Sequence, residues 1–307
     1  MNTKSRSWFK PFQRKTSKDG PFETYDKAGR LRSKGHRKNG QSDGPYESYF
    51  DNGQLDSSGT FKIGAQDGAW ERYFETGQIN FKGNYKDGAL HGRQEWHRQS
   101  GGLRERRDYF EGKRAGSWEL YHLNGQLKSR VNYHDDKREG AFEVHYLNGQ
   151  LRSRGTHVDD ERGGPYESYF ENGQLESRGT FSDGDRQGLW EEFHTNGQLA
   201  HRGTYSGDQA DGPQQWFFDN GQLRMAGDCR NDKRTGPFEE YWKCGELSVK
   251  EIYQDGTKNG PYESYHENGQ LKARGIFKNG VLDGPYELYM DDGRLTESGV
   301  YRNGVPQ

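Results

Sequence analysis

The glutamates are the main candidates in this sequence for acid–base chemistry. Glu47, Glu71 and Glu119 each stand three residues after a glycine and two residues before a tyrosine. A general acid–base pair needs two unique groups whose environments push their pKa values apart. A carboxylate that recurs in one context along the chain predicts a structural role instead, so we expect no catalytic residues.

The ten histidines and two cysteines are the candidate metal ligands and nucleophiles. No H-E-x-x-H spacing is present, and Cys229 and Cys244 have neither a zinc-ligand spacing nor enough partners for a disulfide framework. Motifs such as G-x-G-x-x-G and G-x-S-x-G are also absent. The sequence therefore predicts no enzyme, no metal site and no cofactor.

The element that must position these side chains is a repeat of 24 residues. Positions 1 and 10 of every repeat are glycine, and position 12 is leucine or, once, isoleucine. Glycine also fills position 16 in nine repeats, so it marks fixed points of the unit and not a flexible linker. The twelve repeats begin, without insertion or deletion, at residues 20, 44, 68, 92, 116, 140, 164, 188, 212, 236, 260 and 284.

Each repeat is predicted to fold as one β-hairpin. Asn-Gly at positions 9 and 10 is typical of a two-residue type I′ turn, which pairs positions whose numbers sum to 19. Glutamate at position 4 then faces Lys or Arg at position 15, as Glu167 faces Arg178, and the aromatic residue at position 3 faces glycine 16. Position 6 would pair with 13. The second connection, around positions 19–24, is expected to be longer and polar.

Strand alternation assigns the side chains to two faces. Positions 3, 7, 12, 16 and 18 share one face, which carries the rings and the invariant aliphatic residue. Positions 4, 6, 13 and 15 share the other, which carries glutamate, tyrosine and basic residues. We call these the ring face and the polar face.

The composition suits a thin structure. Hydrophobic residues are only 28% of the 307, yet the chain holds 19 Tyr, 16 Phe and 7 Trp, unlike a disordered chain. The 45 basic and 47 acidic residues give a net charge of −2, so no overall field favours nucleic acid or an anionic membrane. No secretory signal or membrane-spanning apolar run is evident, so we expect a cytoplasmic protein with two reduced thiols.

The pattern G-x-(aromatic)-E-x-Y-x-x-N-G-Q-L-x-x-x-G-x-Y-x-x-G resembles the MORN-repeat family. It is most similar to the MORN variant repeats of bacterial YwqK-like antitoxin proteins, with their Y-x-x-N-G-Q-L-x-x-x-G-x-Y core. That core reads YFENGQLESRGTF from Tyr169 and FHTNGQLAHRGTY from Phe193. The resemblance covers residues 20–304, nearly the whole chain.

The resemblance implies an all-β fold, an elongated single-layer antiparallel sheet of twelve hairpin repeats. These repeats would form one continuous rod over residues 20–307. A β-solenoid with one coil per repeat is the alternative. Residues 1–19 form a basic arm, which we expect to be partly disordered or to cap the first edge strand.

For function, the resemblance implies a non-catalytic protein-binding scaffold. Its most specific form is an antitoxin or immunity-type protein that binds and neutralises a partner such as a cognate toxin. The alternative is a membrane- or lipid-associated scaffold, because MORN repeats have also been linked to lipid binding. The sequence does not define an oligomeric state.

A specific partner requires a surface that does not repeat. Repeat 4 has Gln94 in place of the ring at position 3 and Arg107 in place of glycine 16, whereas repeats 9 and 10 concentrate Trp and Phe. Exposed Trp and Arg are frequent hot spots of protein interfaces, although drift in a tolerant repeat gives the same pattern. Interleaved acids such as Glu95 and Glu105 argue against nucleic acid. The candidate partner-binding residues are Trp96, His97, Arg104, Arg107, Trp216, Phe217, Phe218 and Trp242.

Overall fold

The computed structural model describes residues 19–307, and every regular element in that range is a β-strand. The chain divides into two compact units, the first ending at Gly125 and the second spanning Gln126–Gln307. The all-β prediction is confirmed. The predicted N-terminal arm lies, apart from residue 19, outside the described residues.

Among residues 19–307, the first unit contains ten strands and the second contains nineteen. The strands of the first unit are Gly20–Tyr25 (β1), Leu31–Lys38 (β2), Gln41–Tyr49 (β3), Leu55–Lys62 (β4), Ala65–Tyr73 (β5), Ile79–Lys86 (β6), Ala89–Leu90 (β7), Gly92–His97 (β8), Leu103–Phe110 (β9) and Lys113–Tyr121 (β10). The strands of the second unit are Leu127–His134 (β11), Lys137–His145 (β12), Leu151–Val158 (β13), Glu161–Arg162 (β14), Gly164–Tyr169 (β15), Leu175–Ser182 (β16), Asp185–Phe193 (β17), Leu199–Ser206 (β18), Gln209–Phe217 (β19), Leu223–Arg230 (β20), Lys233–Tyr241 (β21), Leu247–Gln254 (β22), Thr257–Lys258 (β23), Gly260–Tyr265 (β24), Leu271–Lys278 (β25), Val281–Leu282 (β26), Gly284–Tyr289 (β27), Leu295–Arg302 (β28) and Val305–Pro306 (β29).

Within each unit, strands pair antiparallel with their neighbours along the chain. In repeat 7, β15 pairs with β16 through Tyr166↔Gly179 and Glu167↔Arg178, and β16 pairs in turn with β17 of repeat 8. The predicted register of positions 1–5 is therefore confirmed. A solenoid would pair its coils in parallel, so the hairpin prediction is the correct one of the two.

The turn at positions 7–10 differs from the prediction. In repeat 7, Gly173 N donates to Phe170 O (2.9 Å) and Phe170 N donates to Gln174 O (2.8 Å). Gly173 has a φ of +85°, whereas Asn172 is not left-handed. A type I turn followed by a glycine bulge has these features, and it shifts the pairing so that Tyr169 faces Leu175. The predicted type I′ turn at Asn-Gly and the pairing of position 6 with 13 are wrong.

The asparagine at position 9 links one hairpin to the next. Asn172 Oδ1 accepts a hydrogen bond from Gln174 N (3.0 Å), and Nδ2 donates to Thr195 O in the following repeat (3.1 Å). Asparagine therefore suits this position because both ends of its amide are used. The same two bonds recur at Asn52, Asn148, Asn196, Asn220 and Asn268.

The second connection is shorter than predicted. Ser182 pairs with Asp185, which leaves Asp183 and Gly184 as a two-residue loop with φ of +52° and +89°. Positive φ at both residues is the type I′ geometry, and positions 20 and 21 have it in all twelve repeats, over residues 39–304. Gly184 N also donates to the carbonyl of Arg162 in the preceding repeat (2.9 Å). The expected long polar loop is wrong, because the type I′ turn lies here.

Rings at position 3 lie directly on the glycines at position 16. A Cβ added to Gly179 would lie 2.2 Å from Trp190 Cδ2, and one added to Gly59 would lie 1.9 Å from Trp70 Cε3. Each of these rings belongs to the next hairpin, so the contact joins consecutive repeats. The prediction placed each ring over glycine 16 of its own hairpin, and Phe22 on Gly35 and Phe142 on Gly155 confirm it there. At Gly59 and Gly179 the ring of the next hairpin covers the bare backbone instead, which leaves no room for a side chain at these two positions.

The buried hydrophobic residues belong to the ring face. All but Phe81 hold position 3 or 18, as predicted, while the invariant aliphatic residue at position 12 is only half-buried in most repeats. Within each unit the core thus consists mainly of rings on the ring face. Its members are Trp70, Phe81, Phe142, Phe181, Trp190, Cys229, Phe238 and Tyr253.

Ion pairs on the polar face connect hairpins as well as the strands within one. Arg178 faces Glu167 across its own hairpin, but its Nη2 lies 2.5 Å from Glu191 Oε2 of the next repeat. Arg202 contacts the other oxygen of Glu191 at 2.7 Å. Burial alone would raise the pKa of Glu191, but the hydrogen bonds from Arg202 and Arg178 outweigh it and lower that pKa.

One buried histidine takes the place of a ring in this core. His157 occupies position 18, is 6% exposed, and its ring centroid lies 4.5 Å from that of Phe142. Burial lowers the pKa of His157, and the charges of Arg138 and Arg162 lower it further. Neutral histidine is therefore the form that the folded protein favours.

The contact between Trp190 and Gly179 yields a stability prediction. Gly179→Ala forces the ring to move, and we expect a loss of about 1–3 kcal/mol in the free energy of unfolding, measured by chemical denaturation. Gly102→Ala is the control, because an added Cβ there has no neighbour within 4 Å and φ is not left-handed; its effect should stay within about 0.5 kcal/mol. Equal effects of the two substitutions would contradict the packing role of glycine 16.

His157 yields a pH prediction. A histidine with a lowered folded-state pKa stabilises the fold above the unfolded pKa of about 6.5, and this contribution is lost as the pH falls. His157→Phe should therefore reduce the drop in melting temperature between roughly pH 7.5 and 5.5. Parallel melting curves for the wild type and the variant across that interval would show that His157 carries no such penalty.

Candidate functional site

Two adjoining grooves lie in repeats 8–10, within the second unit. The larger, of about 620 Å³, is lined by Trp216 and Phe217 together with His201 and Cys229. The smaller, of about 460 Å³, is lined by Phe218 and Trp242. Arg224 and Arg234 line both grooves. The structure thus brings together the four residues predicted in repeats 9 and 10.

Repeat 9 carries its ring at position 5, as Trp216, and not at position 3 as most repeats do. The residues around it hold the indole in place. Gln214, at position 3, is 1% exposed and lies over Gly203, where other repeats place a ring. Trp216, two residues later on β19, faces His201 of β18 at a centroid distance of 5.0 Å. His201 Nε2 and Gln214 Oε1 are 3.1 Å apart. The indole is half-buried and forms one wall of the larger groove.

The other three predicted residues of this region also support the fold. His194 Nε2 lies 3.0 Å from the carbonyl of Phe217, and Phe218 N donates to Gln222 O within the turn. Trp242 Nε1 donates to Tyr265 O of the next repeat at 3.2 Å. These rings are half-buried and not fully exposed, so each contributes one edge to the groove surface.

The two arginines of the grooves were not predicted from the sequence. Arg234 lies over the rings of Phe238 (4.8 Å) and Tyr253 (5.3 Å), and its Nη1 donates to Tyr253 OH at 3.1 Å. Arg224 is exposed at position 13, and because it lines the grooves of the ring face, the predicted placement of position 13 on the polar face is wrong here. The available signal was position 23, which holds Arg114, Arg138, Arg162, Arg186 and Arg234.

The side chains of the cluster predicted in repeat 4 pack against one another and against neighbouring side chains of this chain. Arg107 lies between two indoles, 5.0 Å from the centroid of Trp96 and 4.6 Å from that of Trp118. Its guanidinium pairs with Glu105, which is 7% exposed and also binds Arg104 at 2.7 Å. These contacts cover the ring of Trp96 with the chain's own side chains.

His97 is separated from the rest of that cluster. It occupies position 6 on the polar face, where its Nε2 lies 3.9 Å from Glu95 Oε2. In other repeats a tyrosine makes this contact, as Tyr169 OH does with Glu167 Oε2 at 2.5 Å. That hydrogen bond, followed by Arg154, lowers the pKa of Glu167. His97 therefore replaces a repeated structural tyrosine.

Grooves on the polar face recur with the repeat. One of about 430 Å³ is lined by Phe142, Glu143, Arg154 and Pro165. Two others use the same repeat positions, at residues 21–47 and 261–287. Because they share positions 2, 3, 4 and 15, these grooves follow from the fold, whereas the grooves around Trp216 and Trp242 depend on residues that break the pattern.

Two further observations concern residues 19–307 alone. No cluster of three or more His, Cys, Asp and Glu side chains within that range is arranged to hold a metal ion. The range also contains no helix with the length and hydropathy needed to cross a bilayer. Cys229 is buried and Cys244 exposed, and both are free thiols.

Comparisons with solved structures give alignments of low similarity. Crystal structures of TcdB2-TccC3-Cdc42 and of TcdB2-TccC3 without its hypervariable C-terminal region each align at 12% identity and a TM-score of 0.19 over 92% of this chain. A structure of TcdB2-TccC3 aligns at a TM-score of 0.16. This chain spans 18–19% of the length of those chains. Curated proteins give no match.

The family comparison agrees with the hairpin geometry. The model of the MORN repeat variant matches seven segments, residues 42–62, 66–87, 114–135, 162–183, 186–206, 210–227 and 258–279. Each segment falls within the series of antiparallel hairpins described above. Repeats of this family form a non-catalytic scaffold. The chain is therefore a scaffold of hairpin repeats in which seven segments are similar to the MORN repeat variant.

Proposed function

We propose that this scaffold binds a protein partner through the ring face of repeats 8–10. The observation that supports the proposal is the pair of grooves around Trp216 and Trp242, which break the repeat and adjoin one another. Half-buried indoles beside arginines are the surface chemistry in which interface hot spots concentrate. No step of this function requires turnover, so we propose a binding protein and not an enzyme.

Neutralisation of a toxic partner is the specific form that we propose for this binding. Its support is the resemblance of the repeat core to YwqK-like antitoxin proteins. A cytoplasmic location is part of the proposal, because such an antitoxin must meet its partner before the partner acts. The two free thiols fit a reducing compartment.

The lipid-binding alternative has no comparable support. Basic residues at position 15 are paired with glutamates, as Arg154 is with Glu167 (2.6 Å) and Arg274 with Glu287 (2.6 Å). Attraction to anionic lipid requires basic groups whose charge is not already balanced. We therefore propose a protein partner and not a membrane surface.

Trp216→Ala tests the proposed site. We expect the affinity for a partner captured from the native cell to fall by roughly 30-fold or more, since a hot-spot tryptophan contributes about 2 kcal/mol or more. The measurement is titration calorimetry with the purified partner. Trp96→Ala is the matched control, because Trp96 also holds position 5 and also packs on a position-14 ring of the preceding repeat, at Phe81.

Two results would contradict parts of this proposal separately. Equal affinity of the wild type and Trp216→Ala, or a larger loss in Trp96→Ala, would remove the site from repeats 8–10. For neutralisation, expression of the captured partner alone should arrest growth, and co-expression of this chain should restore it. A partner that is harmless alone would leave a binding scaffold without an antitoxin role.

A further inference from the structure

A cation–ring stack recurs along the ring face of the second unit. At each such junction, the basic residue at position 23 of one repeat lies over the ring at position 18 of the next, and the arginines among them also lie over the ring at position 3. Arg162 lies 5.2 Å from the centroids of both Tyr166 and Phe181. Arg186 lies 4.0 Å from the centroid of Tyr205. Such contacts attract the cation to the π face of the ring.

The same stack continues further along the chain. Arg234 lies over Phe238 and Tyr253, and Lys258 Nζ lies 5.2 Å from the centroid of Phe277. The stack is therefore present at the junctions of repeats 6 and 7, 7 and 8, 9 and 10, and 10 and 11. The junction of repeats 8 and 9 stands between them.

At that junction all three members of the stack are replaced. Position 23 is Ala210, position 3 is Gln214 and position 18 is Cys229. The groove of about 620 Å³ lies here, lined by all three of these residues. Arg186 and Arg234, from the neighbouring stacks, also line it. We call this groove, where one stack is missing between intact ones, the stack gap.

The chain fills the stack gap only in part. Trp216 and Met225 pack against the buried cluster of Cys229, Phe238 and Tyr253. The space that this packing leaves unfilled is the groove, which Trp216 and Cys229 both line. At the junction of repeats 3 and 4, by comparison, position 18 of repeat 4 keeps its ring as Tyr109, and position 23 of repeat 3 is Leu90, which is larger than Ala210.

Resting on the proposed protein-binding function, we propose that the stack gap receives an aromatic side chain from the partner. The inserted ring would occupy the place of the one that Cys229 lacks. It would contact Trp216 and lie between the guanidinium groups of Arg186 and Arg234. Ring insertion into a desolvated pocket beside cations gains from apolar burial and from cation–π attraction together.

The charges that line the gap favour an uncharged ring over an ionic side chain. Both signs are present, with Arg186, Arg224 and Arg234 against Glu192 and Asp232. Arg186 is already paired with Asp208 at 3.1 Å. A carboxylate or an ammonium group entering the gap would meet a like charge, whereas a neutral ring meets none.

Rebuilding the missing stack tests the inference. The double substitution Ala210→Arg with Cys229→Tyr should fill the gap from within. The probe is N-acetyl-L-tyrosinamide, observed by saturation-transfer NMR with the full chain, and N-acetyl-L-leucinamide is the non-aromatic comparison. We expect saturable binding of the tyrosine probe to the wild type, weaker binding of the leucine probe, and a loss of about tenfold or more in the filled variant.

The control is His157→Tyr, which restores a ring at position 18 three repeats away and should leave probe binding unchanged. If the filled variant melts early, Ala210→Leu repeats the test with the residue found at the corresponding position as Leu90. No saturable binding to the wild type, equal binding to the filled variant, or equal binding of the leucine probe overturns the inference. So does a dimer that dissociates on filling, because a second copy would then be the occupant.

The experiments distinguish a failure of the aromatic site from a failure of the proposed protein-binding function. A captured partner that binds the filled variant as well as the wild type leaves the scaffold function intact and removes the aromatic site. Probe binding that is lost on filling, in a chain that captures no partner, keeps the site and removes the proposed function.

Discussion

The close contact between the ring at position 3 and the bare backbone of glycine 16 is the constraint on which the sheet depends. A single sheet layer has no second layer against which to bury its side chains, so the rings must lie along the sheet itself. A Cβ at Gly59, Gly179 or Gly227 would stand 2.5 Å or less from such a ring. A slip of one residue would turn every ring to the polar face, so the two turns that fix the register and the ring–glycine contact require each other.

The period, the hairpin, the two faces and the pairing of Glu167 with Arg178 could all be predicted from the sequence, because each depends on residue type at a fixed spacing. The turn types could not. Asn-Gly suits a type I′ turn, but at Asn172 the amide is used instead for bonds to Gln174 and to the next repeat. The type I′ turn occurs instead at positions 20 and 21, as at Asp183 and Gly184. In two other repeats these positions are aspartate pairs, which adopt positive φ as well. Local preference was compatible with both turns, and contact between hairpins decided between them.

The candidate site could be predicted in part for a similar reason. Trp216 and Trp242 stand out in the sequence because they add large side chains. The groove beside Trp216 exists because Ala210 and Cys229 remove them, and a missing side chain is noticed only when the stack that it interrupts is known. The cluster in repeat 4 shows the opposite case, since Arg107 fills the space beside Trp96 and the surface closes. A regular scaffold can thus carry one specific site at the junction where the residues of the cation–ring stack are replaced.

The central claim is that each repeat is a hairpin in the register that places position 5 opposite position 14. Ser168 and Ser177 are such a pair, with their Oγ atoms 2.8 Å apart. In a chain with Cys229 and Cys244 replaced by serine, Ser168→Cys with Ser177→Cys should form an intramolecular disulfide under mild oxidation, because directly opposite strand residues meet the distance that the bond requires. Ser168→Cys with Arg178→Cys should not, since Arg178 faces Glu167 on the opposite side of the sheet. Efficient cross-linking of the second pair in place of the first would contradict the register, and with it the account of the fold and the groove.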